Sequence, residues 1–169
     1  MTAKPGVQDV AFPAGESSHV GRLRLQLNCN SDCVHVLRSI VAVMSARAGM
    51  DELRSNRVAI AVDELFANIA DHAYAGKPGR VEFEGRIETH AARLVFEFRD
   101  YASLGWNGCL EEVAAHRLNH ENLCPGGLGL KLICSVADAC EHDVLEDGNH
   151  WRLFFKLIEG KENECETDI

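Results

Sequence analysis

The stretch that most limits the fold of this chain is VAIAVDELFANIADHAY, residues 58–74. Val58, Ala59, Ile60, Ala61, Val62, Leu65, Phe66, Ile69 and Ala70 cover much of the circumference of a helix. A helix that is apolar nearly all round is buried on more than one side. The spacing predicts this helix over 51–74. It also carries Glu64, Asn68 and His72 at intervals of four, which places them about 40° apart on one face. An unpaired buried carboxylate costs several kcal/mol, so the ladder is either a ligand site at a sheet–helix junction or a solvated polar stripe. Spacing alone favours the stripe, because such ladders are common on amphipathic helices.

Periodicity supplies the layers around it. Arg22-Leu23-Arg24-Leu25-Gln26-Leu27 alternates polar and apolar, as a half-buried strand does. Asn30, Ser31 and Asp32 are helix N-cap candidates, and Val34, Leu37, Ile40, Val41 and Met44 follow at helical spacing up to Gly49. After the break Gly76-Lys77-Pro78-Gly79, two alternating runs at 81–87 and 94–99 predict an antiparallel hairpin turning near Thr89-His90-Ala91. Residues 100–129 are irregular apart from a hint of helix at Ala114, Ala115 and Leu118, and a connection of that length is usually functional. A helix over 128–136 opens directly after glycines, and a last hairpin turns about Asp147-Gly148-Asn149. Antiparallel strands segregated from helices predict an α+β two-layer sandwich, a mostly antiparallel sheet covered on one face by helices. Residues 1–18 read as a loose N-terminal arm, 19–158 as one folded domain and 159–169 as an acidic tail.

Composition excludes several function classes. At 169 residues the chain can bury about 70% of its unfolded surface without a disulfide or metal staple. A net charge of -9 argues against nucleic acid as the main partner and suits a basic protein surface. The seven cysteines form no CxxC pair and read as reduced thiols of a cytoplasmic protein. No apolar run reaches the roughly eighteen residues of a membrane span, and the N-terminus lacks a signal-peptide core.

Two further motifs carry chemistry. Pro125-Gly126-Gly127-Leu128-Gly129-Leu130-Lys131 places glycines before a helix, where backbone N–H groups can approach an anion. It is neither a P-loop nor the dinucleotide fingerprint. Asp100 closes a strand, where a carboxylate can accept a hydrogen bond from an amino group or act as a turn residue. His116, His120 and Cys124 recur every four residues but lack a fourth ligand for zinc. Trp106 and Trp151 read as packing residues, and no GxSxG nucleophile motif occurs.

In this order, Glu64-x-x-x-Asn68-x-x-x-His72-Ala73-Tyr74, strand-end Asp100 and Gly127-Leu128-Gly129-Leu130 resemble the Bergerat-fold ATP-binding superfamily, which includes gyrase and the histidine kinases. The ending His72-Ala73-Tyr74 in a short chain looks most like the bacterial anti-sigma-factor serine kinases. The resemblance covers about residues 20–158. It implies ATP and Mg²⁺ as cofactors, with Asn68 offering its amide oxygen to the metal and Glu64 as the general base. It further implies that Asp100 reads the adenine amino group, that Gly126, Gly127, Leu128, Gly129 and Leu130 contact the phosphates, and that His72 lines the pocket. The loop between Asp100 and Gly126 would be a lid over the nucleotide. The partners implied are a sigma factor and an antagonist protein phosphorylated on serine, and such proteins often dimerise. One departure stands out. The family follows its aspartate with DxG, whereas here the run is Asp100-Tyr101-Ala102. The alternative is therefore a non-catalytic regulatory binding module with a degenerate nucleotide site.

Overall fold

A computed structural model of the protein describes residues 21–29, 31–103, 106, 108, 110, 113 and 128–157. The predicted arm at 1–18, the helix hint at Ala114, Ala115 and Leu118, the His116–His120–Cys124 set, Gly126, Gly127 and the tail at 159–169 lie outside the described residues.

Among the described residues, eight strands and α-helices follow the predicted order. They are β1 (Arg22–Asn28), α1 (Ser31–Arg47), α2 (Glu52–Asn68), β2 (Arg80–Glu88), β3 (Arg93–Asp100), α3 (Leu128–Val136), β4 (Ala139–Leu145) and β5 (Gly148–Lys156). The strands form one antiparallel sheet in the order β1-β2-β3-β5-β4. The architecture is the expected α+β sandwich.

The alternation in β2 and β3 decides which face the helices cover. Val81, Phe83, Ile87, Leu94, Phe96 and Phe98 are buried and join Trp151, Leu153 and Phe155 of β5 in one core. Leu37 and Val41 of α1, Val58, Val62, Leu65 and Phe66 of α2 and Ile133 of α3 close that core from above. The rings of Phe83 and Phe96 lie 5.7 Å apart and those of Phe66 and Phe98 6.4 Å apart, which ties α2 to β3. Each such side chain contributes about 1.5–3 kcal/mol by leaving water.

The opposite face of the sheet is charged. Arg86 bridges Glu88 at 2.7 Å and Glu84 at 3.3 Å, and also pairs with Glu97; Arg22 meets Glu84 at 2.7 Å; His150 Nε2 lies 3.0 Å from Glu97. Burial pushes the Glu84 carboxyl up, but hydrogen bonds from Arg24 and Arg22 outweigh it and hold the group below its usual range. A face of that kind needs no apolar cover.

Helix α2 runs between α1 and α3 and touches both, which explains its apolar circumference. Ile60 is the exception, 46% exposed where the pattern predicts burial. Asp51 caps the helix by accepting the Arg54 N–H at 2.7 Å. Its predicted extension to 74 takes a different form. Ile69–Ala73 winds as a π turn, closed by Tyr74 N–H donating to the Ile69 carbonyl at 3.1 Å. The wider turn ends the four-residue ladder after Asn68, and π turns inside helices often sit at functional sites. The last hairpin also turns earlier than predicted. Its turn is Glu146-Asp147, and Gly148 already starts β5 at φ 140°, a region favouring glycine.

Candidate functional site

Glu64 and Asn68 stand on successive turns of α2, both partly buried. The first turn of α3 lies against them. A Cβ placed on Gly129 would fall 2.9 Å from Glu64 Oε2, 3.1 Å from Asn68 Nδ2 and 3.4 Å from Asn68 Oδ1. A residue without a side chain is what permits this approach. Gly129 and the pair Glu64 and Asn68, remote in sequence, thus meet at one place. Asn68 Nδ2 is buried with no hydrogen-bond partner among the described residues. Leu130 packs on the core and Leu128 is 49% exposed. His72 is exposed within the π turn, outside the contact that joins Gly129 to Glu64 and Asn68.

Asp100 is fully buried at the end of β3, on the same face as Phe98. It pairs with Val81 on one side and Asn149 on the other. Its Oδ1 accepts from the Ala102 N–H at 3.1 Å and from Asn149 Nδ2 at 3.0 Å. Its Oδ2 is buried and has no hydrogen-bond partner among the described residues. An orphaned buried carboxylate oxygen costs more than an ordinary hydrogen bond returns, and such groups persist where a ligand satisfies them.

The surroundings hold this carboxylate in place. Tyr74 Oη accepts the Tyr101 N–H at 2.8 Å and donates to the Arg80 carbonyl, so the end of the π turn grips the residue after Asp100. Asn149 Oδ1 takes the His142 Nε2 at 3.1 Å and the Trp106 N–H at 3.3 Å. Both tryptophans therefore pack, as expected, with His142 3.9 Å from the Trp151 ring centroid and 5.3 Å from that of Trp106. Burial lowers the His142 pKa below its ordinary value, against the opposing hydrogen bond to Asn149. Burial raises the Cys29 thiol to about 11, with Cys33, Asp100 and Asp71 adding to the rise, so Cys29 stays neutral beside Asp100.

The Ala102 departure takes an ordinary form. Among the described residues only Ala75 and Ala92 are non-glycines with positive φ, so Ala102 adopts the turn without left-handed backbone. Its side chain is 5% exposed.

Sequence reasoning missed Asn149, which read as a hairpin turn residue, and His142, which read only as part of a strand. The signal for Asn149 was Gly148 before it. A Cβ on Gly148 would fall 2.1 Å from the Asp100 carbonyl oxygen, so β5 starts hard against the Asp100 backbone.

A one-sided α+β sandwich with a carboxylate, an amide and a helix-start glycine at one place, and an orphaned strand-end aspartate under the same helical layer, defines a nucleotide-binding domain of the ATPase type. The family model described as histidine kinase-like ATPase domain matches residues 28–155, and the chain belongs to that family. No curated protein matches it significantly. Among the described residues, no helix is long and apolar enough to cross a membrane.

Proposed function

We propose that this protein is an ATP-binding serine kinase of the anti-sigma-factor type. The observation that carries the nucleotide reading is a pair of buried atoms without a hydrogen-bond partner among the described residues, Asp100 Oδ2 at the end of β3 and Asn68 Nδ2 beside Gly129. The donor set fits the ligand. Asp100 Oδ2 is an acceptor for an exocyclic amino group such as that of adenine. Asn68 would offer Mg²⁺ its amide oxygen, a hard ligand of the kind that ion takes, with Oδ1 and Nδ2 exchanged by an amide flip. A bound Mg²⁺, held by Asn68, would supply charge neutralisation to the phosphates.

The roles of the chain's own groups follow. Asp100, fixed by Asn149 and Ala102, orients the base. Gly129 brings the backbone N–H groups at the start of α3, where the helix dipole favours negative charge, to the phosphate side. Glu64 accepts the proton of a serine hydroxyl at its carboxylate. The partners in this reading are a sigma factor, bound in one state, and an antagonist protein phosphorylated on serine. The net charge of -9 suits a basic partner surface. A cytoplasmic setting and a homodimer belong to the same reading.

Ala102 favours a second reading. Its buried methyl group stands where the family has glycine, beside the base-reading carboxylate. In that case the domain binds partners without turnover. Incubation with γ-labelled ATP, Mg²⁺ and candidate antagonists separates the two. Label on a serine of one candidate supports the kinase. Nucleotide binding without label on any candidate supports the module.

A further inference from the structure

Along the contact between α2 and α3, Glu64, Asn68 and Gly129 occupy one end. The other end, built from the first half of α2 and the second half of α3, opens into a cavity of about 440 Å³. Ile60, Leu132, Val136 and Phe155 give it an apolar lining. Ile60 is the residue whose 46% exposure breaks the burial pattern of α2, and it lines this cavity. Three charged side chains complete the lining, Arg54, Arg57 and Asp138. Two of them cancel. Arg54 Nη2 donates to Asp138 Oδ2 at 3.2 Å and to the Lys156 carbonyl at 2.5 Å, and Asp138 also accepts the Lys156 N–H at 2.7 Å. The Arg57 guanidinium has neither ion pair nor hydrogen bond among the described residues. Its helix neighbours at three and four residues, Leu53, Arg54, Ile60 and Ala61, supply no acid and one like charge. The cavity therefore holds one uncompensated positive charge in a chain of net charge -9.

We propose that this cavity binds a small organic monoanion, a carboxylate or sulfonate carried on a compact apolar body. A concavity of this size, mostly apolar with a few polar groups that fix orientation, is the usual form of a small-molecule site. The headgroup pairs with Arg57, whose planar guanidinium offers two parallel N–H donors to such an anion. The apolar body covers Ile60 and Leu132 and reaches Val136 and Phe155. Asp138 sets the charge of the ligand. Its carboxylate repels a second negative charge, so a monoanion fits where a phosphate dianion does not. A neutral molecule of the same shape keeps the apolar contact but leaves Arg57 unpaired. Arg57 stands seven residues before Glu64 on α2, about 10 Å along the helix axis. The site is therefore separate from the nucleotide reading and does not rest on it.

The test is fluorescence titration of the full chain with anilinonaphthalene sulfonate, an apolar monoanion, with thermal unfolding of each sample beside it. The expected result is one saturable site in the wild type and a melting temperature that rises with probe concentration. Phenylbutyrate displaces the probe, and phenylbutyramide, its neutral counterpart, does not at the same concentration. Arg57→Gln and Ile60→Glu each weaken the probe by about tenfold or more, since one removes the charge-assisted pair and the other places an acid in the lining. Both side chains are exposed, so the substitutions leave the core in place, and unfolding curves close to wild type verify it. Arg57→Lys keeps the charge and retains part of the affinity. Equal affinity in wild type and Arg57→Gln would overturn the proposal, as would binding that does not saturate. Competitive displacement of the probe by Mg²⁺-ATP would overturn it too, by placing the probe in the nucleotide site.

Discussion

Gly129 and Glu64 meet so closely that a β-carbon on the glycine would stand 2.9 Å from the Glu64 carboxylate oxygen. That contact joins α3 to α2 at the polar ladder. Gly129→Val places two further carbons where Glu64 and Asn68 now stand. The variant is expected to lose about 1–3 kcal/mol of stability by overpacking and to bind Mg²⁺-ATP at least about tenfold more weakly. Thermal unfolding and calorimetry on the same sample measure both. Unchanged affinity would separate the glycine from the site.

Glu64 and Asn68 share the site but not the role. Glu64→Ala is expected to abolish phosphoryl transfer, by about a hundredfold or more for a lost general base, while leaving most of the nucleotide affinity. Asn68→Ala is expected to weaken Mg²⁺-dependent binding and to leave metal-free binding nearly unchanged. Titrations with and without Mg²⁺ distinguish them. Full transfer activity in the Glu64 variant would remove it as the base.

Tyr74 bridges the end of α2 to the residue after Asp100. Tyr74→Phe leaves the part-buried Tyr101 N–H without its acceptor, at a cost of about 1 kcal/mol, the low end of the range for a buried donor. The expected result is a lower melting temperature together with weaker nucleotide binding, since Asp100 loses its anchored neighbour. A melting temperature equal to wild type would show that water replaces the hydroxyl.

The His142 imidazole gives a pH dependence with a definite sign. Its folded pKa lies below the unfolded value because burial disfavours the charged form. The unfolded chain therefore binds the proton first as pH falls. The stability that neutral His142 represents is whole above the unfolded value near 6.5 and is lost as pH drops towards the folded one. Melting temperatures measured between about pH 7 and pH 5 should fall in the wild type. His142→Gln, which keeps a donor for Asn149, should lose less over the same interval. Parallel slopes in the two proteins would remove His142 as the source.

Much of this was legible in the residues. Periodicities of two and near four placed the strands and helices, because one face of each is apolar and the core demands it. The Glu64–Asn68 ladder and Gly129 were visible as motifs, but their contact was not, since it depends on how α3 lies across α2. The π turn at Ile69–Ala73 left no mark in the spacing. Asn149 looked like a turn residue because Gly148 was counted in the turn, when its φ of 140° lets it begin the strand against Asp100. His142 acquires its role only through the β4–β5 pairing and the tryptophans beside it.

The account stands most directly on Asp100 Oδ2, the buried acceptor without a hydrogen-bond partner among the described residues. Calorimetric titration of the full chain with Mg²⁺-ATP, wild type beside Asp100→Asn, measures it. One saturable site in the wild type and a loss of at least about 1.4 kcal/mol, a factor of ten, in the variant is the predicted result. Absence of binding to the wild type, or equal affinity in the two proteins, would contradict it.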